Sequence, residues 1–383
     1  MKKKLLIVTL NDYIIYQPTI LNLYDALLPH FDVTIISFEP QFIGNKKDDD
    51  RNIIYLKPNF YWQEFFQKLD FVISKFVRQA RPVLPKLTYH YFYYNYYLPK
   101  ILKKKLRSLS ADIVIAVDIP ALYVSQQVFG AVHFLSLEID TSIPHFKKID
   151  TDKIKSVFIQ STIRYKHLFP TKEIRTFLVQ NSPVFSEKYR TNYQRQDFVW
   201  AGTILERFGI TDCLNFFENF RQFRLVIKGG GDKKTMEKVY LGYGHLIRVD
   251  RVHINQDYLR SDSFIDFLSR FRIGFCFYSW NLIKENFNYQ TAPSGKLFMY
   301  LAAGTPVIAC NIPGFSFVKE FGVGVLIDDY KPETIYKAMV EIETNYEQYS
   351  GNCYKAARHF SFDAAVKPYV EYLAEQWDLK SHR

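Results

Sequence analysis

Short apolar runs rich in β-branched residues alternate with longer helical patterns along most of this chain. In its first half the runs are Leu5–Leu10, Val33–Ser37, Ile113–Val117, Val132–Leu137 and Val157–Gln160. Strands that alternate with helices pair in parallel, and the helices cover both faces of the sheet. The rhythm therefore predicts an α/β fold built on parallel strands.

A second series of such runs begins after Asn181-Ser182-Pro183, which is the best candidate for a linker. Its predicted strands are Phe198–Ala201, Leu225–Lys228, Ile273–Tyr278, Val307–Cys310 and Val325–Ile327. The chain has 383 residues, more than a single hydrophobic core usually supports. We therefore expect two α/β domains, residues 1–181 and 182–360, followed by a helix over 361–383 that could pack on either half, including back on the N-terminal domain.

Basic residues are concentrated in one segment of the first half. Residues 68–107 hold ten Lys and Arg residues and one acid, Asp70, and so carry +9 of the net charge of +11. Helices predicted over about 61–80 and 89–107 mix these cations with aromatic residues. Such a mixture suits an anionic membrane surface, so this basic aromatic insertion, residues 61–107, is a candidate membrane-binding element. Single-stranded nucleic acid ranks lower because no RNA-binding motif is present, and a solvated helix face with core aromatics is the structural alternative.

The cysteines give no sign of a disulfide framework or a zinc site, because they are widely spaced and form no CxxC pair. They are Cys213, Cys276, Cys310 and Cys353. No stretch approaches the roughly 18 uninterrupted apolar residues that span a bilayer. Free thiols suit a reducing cytoplasm. We therefore expect a cytoplasmic protein, peripherally associated with the inner face of the cell membrane through the basic aromatic insertion.

The strongest local motif is the stretch from Ala292 to Ala309, in which Pro-Ser-Gly-Lys opens a predicted helix that ends at Gly304 before a buried strand. Unpaired backbone N–H groups at a helix start favour a phosphate, and Lys296 would add a positive charge on the first turn. The alternative is structural: Ser294 is an ordinary N-cap and Gly304 the matching C-cap.

This stretch resembles the C-terminal signature of GT-B glycosyltransferases of the retaining family 4 type. The segments 198–209, 225–232 and 252–275 resemble the strands and Gly-rich turns that precede that signature, in the same order. The resemblance implies a fold of two facing Rossmann-like domains with parallel sheets and a cleft between them. It also implies that the C-terminal domain binds a nucleotide-sugar and the N-terminal domain an acceptor.

The resemblance places Arg207 where the family has a Lys that contacts the donor diphosphate, and an Arg can do this bidentately. The Arg expected just after Gly202 is Thr203 here, and Lys296 could compensate for it. The implied diphosphate site consists of Gly202, Thr203, Arg207, Ser294, Gly295 and Lys296.

The family's paired glutamates, the second of which binds the ribose, are absent, because Thr291 and Met299 stand at their places. A thioether cannot accept the hydrogen bonds that a carboxylate accepts from two hydroxyls. Either donor binding is weakened, or ribose recognition has moved to nearby residues. The nucleoside-binding candidates are Gly229, Gly230, His253, Ile254, Glu285 and Asn288.

On the acceptor side, Asp118 and Glu138 each follow a predicted strand, and ligands of doubly wound sheets bind at the carboxyl ends of strands. The resemblance makes them the catalytic candidates, with Glu138 orienting the acceptor or acting as its base. A surface carboxylate at a strand end is the alternative for Glu138. His133 is interpreted as a core residue, and Arg164 resembles part of a polar turn that faces the cleft.

These observations together predict a glycosyltransferase that transfers a sugar from a nucleotide-sugar to a lipid-linked or nascent cell-surface glycan. The family type implies retention of anomeric configuration, and no DxD-type motif suggests a metal. We expect no cofactor besides the nucleotide-sugar co-substrate, and no nucleic acid partner. Two alternatives stay open: a nucleotide-sugar 2-epimerase of the same fold, and a glycan-binding pseudo-glycosyltransferase.

Overall fold

The computed structural model describes residues 2–14, 17–39, 50–59, 64, 93–141, 143–189, 194–257 and 259–381. The predicted α/β fold with parallel sheets is confirmed. The chain divides into two compact units. The N-terminal unit comprises the residues up to Leu178 together with those from Val366 onward, and the C-terminal unit comprises Val179–Ala365.

Within the described residues, the N-terminal unit contains a seven-stranded sheet in the order β3-β2-β1-β4-β5-β6-β7. Every pair of neighbouring strands is parallel. The strands are β1 Lys3–Val8, β2 Phe31–Phe38, β3 Ile53–Leu56, β4 Ile113–Val117, β5 Val132–Ser136, β6 Ile154–Ile159 and β7 Thr176–Leu178. The helices are Pro18–Leu27, Leu98–Leu106, Asp118–Phe129 and Thr162–Leu168, and a π-helical turn, Tyr93–Tyr97, precedes the second of them.

The C-terminal unit contains a six-stranded sheet in the order β10-β9-β8-β11-β12-β13, again with parallel neighbours throughout. The strands are β8 Gln196–Ala201, β9 Leu225–Lys228, β10 Val252–Asn255, β11 Phe271–Cys276, β12 Val307–Cys310 and β13 Gly324–Ile327. The helices are Ile210–Asn219, Lys233–Arg248, Ser261–Leu268, Trp280–Glu285, Phe287–Thr291, Gly295–Ala302, Phe317–Glu320, Pro332–Thr344 and Tyr346–His359. The last helix of the chain is Phe362–Ser381.

Aromatic side chains fill the core of the C-terminal unit. Trp200, Phe216, Phe217 and Phe275 are fully buried. The Phe217 ring meets the Phe275 ring edge-to-face at 5.8 Å and 90°, and Phe216 and Phe217 pack similarly at 5.0 Å and 85°. Such edge-to-face pairs are favourable geometries for buried rings. Much of the chain's aromatic content is therefore core material.

The end of the chain packs on the core of the N-terminal unit. Tyr369 is fully buried, and its ring lies 4.9 Å from the Phe158 ring and 5.2 Å from the Phe177 ring. The Tyr372 ring lies 5.3 Å from Phe177 as well. These contacts explain why the residues from Val366 onward belong to the N-terminal unit.

Two short strands, Ile53–Leu56 and Thr176–Leu178, have no counterpart among the predicted elements.

Of the basic aromatic insertion, the structure describes Glu64 and the residues from Tyr93 onward. The helix predicted over about 61–80 lies otherwise outside the described residues. The described helix Leu98–Leu106 buries its leucines and exposes Lys100 and Lys104.

No helix within the described parts of the chain is both long enough and apolar enough to cross a membrane.

Candidate functional site

The N-terminal sheet reverses its strand order between β1 and β4, and the loops after these neighbouring strands diverge. Crevices at such a switch point bind ligands in open α/β sheets. Four polar residues lie at the carboxyl edge of the neighbouring strands β1, β4, β5 and β6: Tyr13, Asp118, Glu138 and Arg164. The structure therefore brings the two catalytic candidates together with two residues that the sequence had not marked as catalytic.

Asp118 follows β4 directly and starts the next helix with φ at 62°, a left-handed conformation that a non-glycine residue rarely adopts. Its Oδ1 accepts hydrogen bonds from the backbone N–H of Leu137 at 2.8 Å and of Glu138 at 2.9 Å. Burial raises the pKa of the Asp118 carboxyl to about 7, and the Glu138 charge also raises it, whereas the two hydrogen bonds and Arg164 oppose the increase. An acid that titrates near neutral pH is suited to proton transfer.

Glu138 reaches solvent at the rim of this group, yet partial desolvation raises the pKa of its carboxyl, with Arg164 opposing. Tyr13 is close enough to feel the charges of these carboxylates. Burial raises the pKa of its hydroxyl, and the carboxylates of Asp12, Glu138 and Asp118 raise it further. The two carboxyls and the phenol are thus electrostatically coupled.

His133 is a structural residue, in agreement with its interpretation from the sequence. Its Nδ1 is 2.8 Å from the Ser156 hydroxyl, and its ring lies edge-on to Tyr369 at 6.1 Å. Burial lowers the pKa of the His133 imidazole to about 4. A neutral imidazole packed within β5 is not placed to act on a ligand at the carboxyl edge.

The C-terminal sheet repeats the reversal between β8 and β11. Gly202 and Thr203 follow β8, and the backbone N–H of Ser279, which follows β11, donates to the Arg207 carbonyl at 2.9 Å. This bond joins the two loops that flank the switch point. The predicted diphosphate residues of the first loop therefore lie where an open α/β sheet binds its ligand.

Lys296, on the first turn of the helix Gly295–Ala302, lies near the loop after β8 at this switch point. Its Nζ lies 4.8 Å from the Trp200 ring and 5.3 Å from the Phe208 ring, and a Cβ on Gly202 would be 3.5 Å from it. The amine is buried and donates no hydrogen bond to protein atoms of the described residues. A desolvated cation held on aromatic faces is attracted to an anion, because burial without a partner is costly.

Arg207 lies next to Phe208, one of the two rings that contact Lys296. Its guanidinium carbon is 5.1 Å from the Phe208 ring centroid, and the residue is exposed. Phe208 is thus flanked by two cations, Arg207 and Lys296, that the sequence placed 89 positions apart. Thr203, the residue after Gly202, is exposed. The structure brings the predicted diphosphate residues together as a cationic site.

Ser294 occupies the N-cap position of the helix Gly295–Ala302, but its side chain makes no capping hydrogen bond. Its hydroxyl lies within hydrogen-bonding reach of the Cys276 thiol and the Tyr278 hydroxyl instead. Gly295 is packed tightly, since a Cβ there would be 2.8 Å from Asn181 Nδ2. Ser294 therefore holds the N-cap position, as the structural alternative expected, and Gly304 follows the helix in a left-handed conformation, but the Ser294 hydroxyl does not cap the helix.

The glycines after β9 bring two backbone turns into contact. Gly229 has φ at 149°, its N–H donates to the Asn255 carbonyl at 2.9 Å, and a Cβ on it would lie 1.9 Å from the Gly202 carbonyl oxygen. Only glycine permits that approach. Gly230 lies in the same turn, where a Cβ would be 3.9 Å from the side-chain oxygen of Gln256.

The other nucleoside candidates are scattered. His253 pairs with Val226 and stands two residues before the end of β10, roughly 7 Å from the carboxyl edge. Ile254, one residue before that end, packs partly buried against the core. His253 therefore lies back from the ligand edge, whereas Ile254 lies close to it. Gln256, which the sequence argument missed, follows β10 at that edge.

Asn288 lies nearer the cationic site. Its N–H donates to the Asn286 side chain at 2.9 Å, and the ring of the following residue, Tyr289, lies 6.4 Å from Phe208. The side chain of Glu285 lies outside what the structure describes. At the places of the paired glutamates, Thr291 is buried with its hydroxyl bonded to the Phe287 carbonyl at 2.7 Å, and Met299 packs against the core. Neither side chain is presented to a ribose.

No protein-family model matches the chain, and no curated protein does. Solved structures do resemble it over its whole length. They include an α,α-trehalose-phosphate synthase (UDP-forming) from Burkholderia vietnamiensis, with 10% identity, a TM-score of 0.68 and coverage of 100% of this chain and 99% of that one. The sucrose-phosphate synthase from Thermosynechococcus elongatus has 13% identity, a TM-score of 0.63 and coverage of 99% and 100%.

A third structure, of the trehalose-6-phosphate enzyme from E. coli bound with UDP-2-fluoro glucose, has 9% identity, a TM-score of 0.64 and coverage of 97% of this chain and 99% of that one. The structural neighbours are GT-B glycosyltransferases. At these identities the similarity establishes the fold: the chain is a GT-B protein with two Rossmann-like α/β units.

Proposed function

We propose that this chain is a glycosyltransferase that takes its sugar from a nucleotide-sugar donor. The observation that supports this best is the pair of cations on Phe208, Arg207 and Lys296, at the switch point of the C-terminal sheet. A buried amine without a hydrogen-bond partner among the described residues suits a diphosphate. The GT-B fold raises the expectation, because a structural neighbour is bound with a UDP-sugar analogue.

In this proposal, Arg207 and Lys296 stabilise the negative charge that develops on the leaving diphosphate. The uncapped start of the helix Gly295–Ala302 adds its dipole and its free N–H groups, with Gly202, Thr203, Ser294 and Gly295 lining the anion. The reaction proceeds without a metal and retains the anomeric configuration, as in the family that the sequence resembles.

Asp118 and Glu138 handle the acceptor in this proposal. A carboxyl whose pKa is about 7, next to a second carboxyl at the rim, can accept the proton of an attacking hydroxyl and return it. The two backbone N–H bonds occupy Oδ1 of Asp118, so its Oδ2 is the oxygen available for proton transfer.

The acceptor is proposed to be a lipid-linked or nascent cell-surface glycan, reached by a cytoplasmic protein docked on the inner face of the membrane. The described end of the basic aromatic insertion supports docking: Tyr97, Ile101 and the cations Lys100, Lys103, Lys104 and Arg107 line one side of an open cavity of about 580 Å³. An apolar wall with a basic rim suits an anionic amphiphile.

The direct test of transfer is incubation with a panel of radiolabelled nucleotide-sugars and a membrane lipid extract, followed by separation of lipid and water-soluble products. Labelled glycolipid is expected with one donor, and much less with Lys296→Met, whereas the exposed control Lys319→Met should behave as wild type. Epimerised nucleotide-sugar without any acceptor would point to the 2-epimerase instead. Absence of transfer and hydrolysis with every donor would refute the proposal.

Membrane docking has its own test. Replacing Lys103, Lys104, Lys105 and Arg107 with Gln should release the protein from anionic phosphatidylserine vesicles, since each cation contributes about 1 kcal/mol. Nucleoside diphosphate binding should survive. The matched control removes four exposed cations of the C-terminal unit, Lys319, Lys331, Lys337 and Lys355. Equal loss of vesicle binding in both variants would show that net charge alone is responsible.

A second candidate is a glycan-binding pseudo-glycosyltransferase, which the inward packing of Thr291 and Met299 favours. It predicts that no nucleoside diphosphate changes the unfolding temperature while glycans still bind. A thermal shift with UDP or GDP that Lys296→Met abolishes would exclude it.

A further inference from the structure

Arg164 is buried completely on the helix that follows β6. The Ser161 hydroxyl caps that helix by accepting the Arg164 backbone N–H at 3.3 Å. The guanidinium Nη2 donates to the Leu137 carbonyl at 2.7 Å, but Nε and Nη1 donate to no protein atom of the described residues. An arginine that only fills space is expected to satisfy its buried donors. Arg164 therefore calls for another explanation.

The peptide segment of Leu137 and Glu138 connects Arg164 to Asp118. Arg164 holds the Leu137 carbonyl from one side, and Asp118 Oδ1 accepts the N–H groups of Leu137 and Glu138 from the other. Displacement of the guanidinium would move the segment that fixes Asp118, which is itself in a left-handed conformation. Three elements, the ends of β4 and β5 and the helix after β6, thus share one hydrogen-bonded chain.

Electrostatics link the same residues. The Arg164 charge acts on both Asp118 and Glu138, and the charges of both carboxylates act on Arg164. The remaining titratable group that faces them among the described residues is Tyr13, on the loop after β1. A buried guanidinium is tolerated when its charge is compensated, and two carboxyls at the ligand edge provide that compensation.

We propose that Arg164 is a positioning residue of the acceptor site: its bond to Leu137 fixes the segment that holds Asp118, and its buried charge favours the ionised forms of Asp118 and Glu138. The role in transfer rests on the proposed function. The structural and electrostatic role of Arg164 does not rest on it, so an experiment can refute either role without refuting the other.

The test measures the titration of Asp118 by carbon-13 NMR of protein labelled at the Asp carboxyls, with Asp118→Asn to assign the signal. The wild-type midpoint is expected near pH 7. Arg164→Gln should raise the midpoint by up to about 1 unit, since it removes a neighbouring positive charge. Arg164→Lys, which keeps the charge, should stay within about half that change.

The matched control is Arg251→Gln. Arg251 is another partly buried arginine that donates to backbone carbonyls, those of Phe217 and Phe220, but it belongs to the C-terminal unit. It should lower stability and leave the Asp118 midpoint unchanged. An unchanged midpoint in Arg164→Gln would overturn the proposal. If that variant does not fold, a midpoint raised by a full unit in Arg164→Lys would overturn it as well.

Transfer assays add the catalytic readout. The acidic limb of the pH profile of kcat/KM should move to higher pH in Arg164→Gln, because carboxylates must be ionised to accept a proton. A uniform loss at all pH values would indicate a merely structural arginine. If wild-type protein transfers no sugar, the proposed function fails while the NMR titration still decides the role of Arg164.

Discussion

The two sheets of this protein have the same strand order around their first strand, and the residues at their switch points carry opposite charges. At the N-terminal switch point lie the carboxyls of Asp118 and Glu138, with one buried guanidinium behind them. At the C-terminal switch point lie the amine of Lys296, over the Trp200 ring, and the guanidinium of the exposed Arg207, over the Phe208 ring. The same local strand order therefore carries different chemistry, supplied by residues of the loops and helices that follow the strands.

The difference in charge comes with a difference in how each group is held. Backbone N–H groups and a neighbouring arginine stabilise the Asp118 carboxyl, while burial raises its pKa into the neutral range. The Lys296 amine rests on the rings of Trp200 and Phe208. In the proposed function, the acidic edge, Asp118 and Glu138, moves protons, and the cationic edge, Lys296 and Arg207, holds an anion. Substitutions on each edge should separate these two tasks.

Glu138→Gln tests the acidic edge alone. Because it removes a proton acceptor and keeps the shape of the side chain, transfer should fall about 10²- to 10⁴-fold in kcat. Nucleoside diphosphate affinity, measured by calorimetry, should stay unchanged. The exposed control Glu173→Gln in the same unit should keep full activity. Loss of nucleotide affinity in Glu138→Gln would contradict the separation of the two edges.

Asp118→Asn tests the raised pKa by its effect on stability. In wild type the folded state binds a proton more tightly than the unfolded chain, whose Asp titrates near its ordinary 3.8. The stabilisation is therefore present in full below about pH 4 and is lost as pH rises through 7, roughly 2–4 kcal/mol in total. Asn accepts the same two N–H bonds and tolerates the left-handed conformation.

Urea unfolding of both proteins between pH 4 and pH 8 measures this dependence. The wild type should lose stability across that window relative to Asp118→Asn. Parallel curves for the two proteins would mean that Asp118 has an ordinary pKa, and the acidic edge would then be a set of surface carboxylates.

The sequence alone predicted the fold and the ends of the strands that matter most. The apolar run Ile113–Val117 is reproduced as β4, so Asp118 was correctly expected at the carboxyl edge. The run Val307–Cys310 is likewise β12. Alternating strands and helices leave little choice of architecture, because parallel strands require crossover helices. The short strands β3 and β7 were missed because three or four residues show too little periodicity.

Contacts between distant residues could not be predicted. His253 became a nucleoside candidate through the family resemblance, but sequence position does not tell how far along a strand a residue lies once the sheet is in register. The link between Arg164 and Asp118 runs through the backbone of Leu137, a residue that offers no polar side chain to notice. The pKa of Asp118 depends on burial, which only the packed structure provides.

Lys296→Met tests the cationic edge. Loss of a charge-assisted contact to a diphosphate should weaken nucleoside diphosphate binding about 10- to 100-fold, measured by calorimetry. The Asp118 titration in the other unit should be unaffected. The exposed Lys319→Met serves as the control for loss of one positive charge. If the two variants bind equally well, the amine on Trp200 and Phe208 is a packing feature and the contrast between the edges disappears.

The smallest effect concerns Ser294, whose side chain does not cap its helix. Ser294→Ala should lower the free energy of unfolding by about 1 kcal/mol, because the buried Cys276 thiol and Tyr278 hydroxyl lose the Ser294 hydroxyl. Asp232→Ala, which removes a cap bonded to the Thr235 N–H at 2.8 Å, should cost about the same. Nucleoside diphosphate affinity should fall about 2- to 10-fold in Ser294→Ala alone, the value of a neutral hydrogen bond. Unchanged affinity in Ser294→Ala would restrict Ser294 to a structural role and leave Lys296 and Arg207 to bind the anion by themselves.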